Sequence, residues 1–78
     1  MGEEKLQMVT IEISTEYIKL DSFLKAANLV GSGGEAKILI AEGEVRVNNE
    51  FELRRGRKLY PGDSVLLGDH NLVVSRES

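Results

Sequence analysis

Arg54, Arg55, Arg57 and Lys58 fill four of five consecutive positions, with Gly56 between them. A guanidinium presents a planar fork of N–H donors that matches phosphate oxygens in pairs, while a lysine supplies a compact charge. Gly56 lets the backbone turn, so that several of these side chains can share one face. The chemistry such a run supports is the holding of a polyanion, not the making or breaking of bonds. The residue types also fit a solvated loop balanced by Glu50 and Glu52. A second candidate is Gly31-Ser32-Gly33-Gly34, where a helix is expected to begin. Free backbone N–H groups, the positive end of the helix dipole and small residues suit an anion there. Ser32 adds a hydroxyl. No Gly-Lys-Ser/Thr follows, so this is not a nucleotide-binding P-loop. A tight turn between two helices accounts for the same spacing. Lys19, Lys25 and Lys37 fall on polar helix positions, where single lysines ordinarily serve solubility.

Nothing else assembles into a catalytic set. His70 is the only histidine and sits in a turn signal without a nearby nucleophile. Asp63, after Pro61-Gly62, reads as a turn residue. No carboxylate pair is singled out by its spacing. Tyr17 and Tyr60 have rings that can stack on bases, but their apolar neighbours point to packing at the edge of the core. The chain has no cysteine, which excludes disulfides and Cys-based zinc sites and suits a reducing cytosol. Neither an enzyme nor a cofactor is expected.

The net charge of −3 argues against general polyanion binding. Its distribution is more informative, because residues 19–58 hold eight basic and six acidic side chains between acidic flanks. No apolar run approaches the ~18 residues of a membrane span, and the acidic start, MGEEKLQ, is not a signal peptide.

With 78 residues the chain is expected to form one small domain, over residues 8–75, after a loose segment at 1–7. Val9, Ile11 and Ile13 alternate with polar residues, which predicts a half-buried strand. Leu20, Phe23, Leu24 and Ala27 make the stripe of a first helix, which Asn28 ends. Ala36, Leu39 and Ile40 repeat the spacing in a second helix, with Ser32 or Gly33 before it and Gly43 as its C-terminal cap. Val45 and Val47, then Phe51 and Leu53, predict a hairpin about Asn48-Asn49. Two further strands are expected at 65–67 and 72–74, joined by a turn at Gly68 to Asn71. The order is one strand, two helices and four short strands.

Four segments together carry a resemblance: residues 19–25, Lys-Leu-Asp-Ser-Phe-Leu-Lys; 32–37, Ser-Gly-Gly-Glu-Ala-Lys; 40–48, Ile-Ala-Glu-Gly-Glu-Val-Arg-Val-Asn; and 61–65, Pro-Gly-Asp-Ser-Val. In order and spacing the chain resembles the S-four, or alpha-L, RNA-binding domain, and in its shortness the small stand-alone bacterial members, the YaaA-like and YbcJ-like proteins. The resemblance implies an α+β fold, with two short helices on a small, mostly antiparallel sheet and an extra N-terminal strand. It also implies a basic surface offered to structured RNA, ribosomal or tRNA-like, by a cytoplasmic monomer associated with the ribosome. Lys19, Ser32, Lys37 and Asn48 match the family pattern. Gly33 stands where the family usually has Arg, and Asn49 where it usually has Gly. The expected contacts are therefore Lys19, Ser32, Gly33, Gly34, Lys37 and Asn48, together with a substitute cluster of Arg46, Arg54, Arg55, Arg57 and Lys58. A protein-interaction adapter on the same fold is the alternative.

Overall fold

In the computed structural model, residues 8–77 are described. The loose segment expected at 1–7 lies outside them. The elements are β1 (Met8–Ile13), β2 (Ile18–Lys19), α1 (Leu20–Ala26), α2 (Gly33–Ala41), β3 (Val45–Val47), β4 (Glu50–Phe51), β5 (Lys58–Leu59), β6 (Ser64–Leu67) and β7 (His70–Arg76). Five strands form one sheet in the order β1-β7-β6-β3-β4, and β2 pairs with β5 in a separate two-stranded ribbon. Only β1 against β7 is parallel; the other pairs are antiparallel.

The two helices form where their stripes require. Leu20, Phe23 and Leu24 from α1 and Ala36 and Ile40 from α2 are fully buried. They close on Val45, Val47, Val65, Leu72 and Val74 of the sheet and on Leu59 of the ribbon. Each large side chain buried in this way contributes roughly 1.5–3 kcal/mol. Both helices end with a left-handed residue, Asn28 (φ 64°) and Gly43 (φ 78°). In each case the last orphan carbonyls accept from the two residues that follow the cap: Asn28 N–H donates to Lys25 and Leu29 N–H to Leu24, while Gly43 N–H donates to Ile40 and Glu44 N–H to Leu39. Asn48 and Asn49, both at positive φ (52° and 71°), make the tight turn between β3 and β4.

Three expectations change. The ribbon of β2 and β5 was not expected, because a two-residue strand carries no readable alternation. His70 opens β7 opposite Leu67 instead of belonging to the turn, which shrinks to Gly68-Asp69. The third change concerns the site. Phe51 and Leu53 were expected to carry the apolar alternation, yet they are 62% and 60% exposed, and Glu52 between them is 6% exposed. The strand ends at Phe51, and a carboxylate takes the inward position.

Candidate nucleic-acid interface

Glu52 is buried because its charge is fully engaged. It accepts hydrogen bonds from the Arg54 backbone N–H (3.0 Å), from Arg54 Nε (2.9 Å) and Nη2 (3.1 Å), and from Arg57 Nη1 (2.7 Å). The Arg54 guanidinium beside it is the main reason its carboxyl is held down at about 2; burial opposes this, and Arg57 adds to it. Arg54 and Arg57 thus share one acceptor. The Arg54 side chain remains 74% exposed, and that of Arg57 30%.

The same loop caps the first helix. Lys19, at the N-cap of α1, makes no side-chain cap. Instead Leu20 N–H donates to the Arg57 carbonyl (2.9 Å) and Asp21 N–H to that of Arg55 (3.1 Å). Two of the orphan donors of α1 are satisfied by the basic run itself. This strap sets the run beside Lys19, and the ribbon register then places Lys19 directly opposite Lys58. Arg54, Arg57 and Lys58 line a shallow groove with Gly56. Four of the five basic loop and ribbon side chains are classed as exposed, Arg57 being the exception.

Helix α2 is capped within itself. Ser32 Oγ accepts from Glu35 N–H (3.2 Å), and Glu35 Oε1 accepts from Gly31 N–H (2.8 Å). A carboxylate therefore already stands at the terminus where a phosphate was expected. Among the described residues, the N–H groups of Gly33 and Gly34 have no acceptor. Lys37 is exposed on α2.

Two predicted residues are placed elsewhere. Arg46 lies on the exposed side of β3, its guanidinium 4.5 Å from the Phe51 ring centre, and lines a different groove with Gly43, Glu44 and Leu66. The Asn48 side chain, at an exposed position, is engaged by its own chain: Nδ2 donates to Asp63 Oδ1 (3.1 Å), and Oδ1 accepts from Ser64 N–H (3.0 Å). Asp63 in turn accepts from Tyr60 N–H (2.8 Å), so Asn48 braces the Pro61-Gly62 turn. Sequence reasoning missed Glu52 as the anchor. Its signal was the acid nearest the basic run, with arginines two and five positions on.

A helix pair on a small mixed sheet, with a basic loop strapped across the start of the first helix, makes a compact α+β module that offers a concentrated positive surface. The family model of the S4 domain matches residues 11–75, and the chain belongs to that family. It is 56% identical over 55 residues to the "Probable ribosome maturation protein RlbA" of Bacillus subtilis (strain 168), covering 70% of this chain and 78% of that one. It is 36% identical over 58 residues to YbcJ of Escherichia coli (strain K12), covering 74% and 83%. The solution structure of YbcJ from E. coli, described as revealing an alpha-L motif involved in RNA binding, superposes with a TM-score of 0.69 at 32% identity over 96% of both chains.

Proposed function

We propose that this protein binds structured RNA through the phosphate backbone, without catalysis, using the β2–β5 ribbon and the strapped loop at residues 54–58. The observation that carries the reading is the convergence of Lys19, Arg54, Arg55, Arg57 and Lys58, which the loop-to-helix hydrogen bonds hold together in a chain of net negative charge. A ribosomal RNA, and a part in ribosome maturation, is the reading that the printed name of RlbA supports; a tRNA-like RNA is the alternative partner that the family resemblance implies. Lys37 and the N–H groups of Gly33 and Gly34 extend the surface, with Ser32 there as the helix cap. Arg46 contributes from its own groove. Asn48 acts by holding the turn.

Binding of a structured RNA hairpin, followed by fluorescence anisotropy across a salt series, tests this. Four to five neutralised phosphates give a log–log slope of about −3 to −4. A slope near zero would sink the reading. The exposed Phe51 and Leu53 favour the adapter alternative, which a protein complex surviving both RNase and high salt would support.

Gly33 offers a gain-of-function check. A Cβ at this position meets nothing within 4 Å, so a side chain can leave the backbone there without a clash. Gly33→Arg is expected to tighten RNA binding by about fivefold, on the order of one charge-assisted contact. Unchanged or weakened binding in the same anisotropy assay would remove the α2 terminus from the surface.

A further inference from the structure

The β2–β5 ribbon carries more than charge. Its register pairs Ile18 with Leu59 and Lys19 with Lys58. Continued by one residue, it sets Tyr17 opposite Tyr60, and the two rings do lie 5.8 Å apart, tilted by 47°. Side chains two apart on a strand share a face. Leu59 faces the core, so Tyr17, Lys19, Lys58 and Tyr60 form one block on the opposite side. Within it the Lys58 ammonium lies 4.8 Å from the centre of the Tyr17 ring.

Two features of this block suit a ligand. Like charges directly opposite on paired strands are destabilising, yet Lys19 and Lys58 occupy that relation. Tyr60, which alternates with the fully buried Leu59, turns its ring outward and is 46% exposed. An aromatic ring left in water beside two paired ammonium groups matches what a single nucleotide requires, a π-face for the base and cations for its phosphate.

We propose that the block receives one unpaired nucleotide, its base stacked on Tyr60 and its phosphate held between Lys19 and Lys58. The proposal rests on the RNA-binding reading and narrows it. The RNA recognised is a helix interrupted by a bulged or looped-out base, since bases inside a continuous duplex have no free face.

The test compares two RNA hairpins of equal charge, each closed by an oligoethylene glycol linker so that the loop offers no unpaired base, one fully paired and one with a single-nucleotide bulge, by anisotropy at fixed salt. The protein is expected to bind the bulged hairpin about tenfold more tightly, within the range measured for base–aromatic stacking. Tyr60→Ala is expected to abolish that preference while leaving affinity for the paired hairpin unchanged, and Tyr60→Phe to keep it. With 5-iodouridine at the bulge, photocrosslinking to the unaltered protein is expected to fall on Tyr60. Equal affinity for the two hairpins, or crosslinks only outside the ribbon, would overturn the proposal and leave backbone binding standing. Failure to bind either hairpin would overturn both.

Discussion

Replacing Lys19, Arg55 and Lys58 together by Glu is expected to weaken binding of structured RNA by at least about 100-fold at 0.1 M salt. That is about 2.7 kcal/mol, which three reversed phosphate contacts readily supply. The choice of positions follows from the structure. Arg54 and Arg57 are the tempting targets in the run, but both hold Glu52, so reversing them damages the fold and confounds the result. Lys19, Arg55 and Lys58 are exposed and make no ion pair among the described residues. The one interaction sacrificed is the Lys58–Tyr17 contact, worth ~0.5–1 kcal/mol at an exposed site. Urea unfolding should therefore shift by about 1 kcal/mol or less. The salt slope should fall by roughly 2 to 3, one lost contact at a time. A folded triple variant that binds RNA as the parent does would show that the ribbon and loop are not the binding surface.

Glu52→Ala is expected to cost about 2 kcal/mol of folding stability at pH 7. Its carboxyl is held at about 2 against an ordinary 4.5. Full conversion of that difference gives about 3 kcal/mol, and the exposure of Arg54 to solvent reduces it. Because the folded value lies below the unfolded one, the contribution is complete above about pH 4.5 and is lost as the pH falls toward 2. Urea denaturation at pH 7, 4.5 and 3 should show parent and variant converging on the acid side. A gap of constant size down to pH 3 would mean that the charge of Glu52 is not what stabilises the loop. The loss should reach function as well. Without Glu52, the Arg54 and Arg57 side chains lose the acceptor that they share, and the carbonyls of Arg55 and Arg57 hold the first turn of α1 less firmly. RNA affinity should fall even though the variant gains a positive charge, which simple electrostatics would not predict.

Much of the architecture was legible in the chain. The stripes of Leu20, Phe23, Leu24 and of Ala36, Ile40 declare both helices, because burial of one face imposes a period of 3.6 on any amphipathic helix. Asn28, Gly43 and Asn48-Asn49 declare stops and a turn, because few other residues tolerate positive φ. The basic character of 54–58 was equally plain. What each basic side chain touches was not, because that depends on partners brought near by folding.

By itself, then, the sequence determined an α+β chain with a concentrated basic run and the pattern of the S4 domain. Those properties are local, in composition, periodicity and spacing, and survive being read one segment at a time. The tertiary structure alone decided how the run is divided. It turned Glu52 inward to hold Arg54 and Arg57, and folded the loop over the start of α1 beside Lys19. It set Lys19 against Lys58 through a ribbon too short to leave a pattern, and drew Asn48 into bracing a turn. The strap, the Lys19–Lys58 pairing and the Asn48 brace are contacts across many residues of chain. Glu52 reaches arginines only two and five positions on, but it turns to them because a buried carboxylate, like the orphan N–H groups of a helix, must find partners where the fold supplies them.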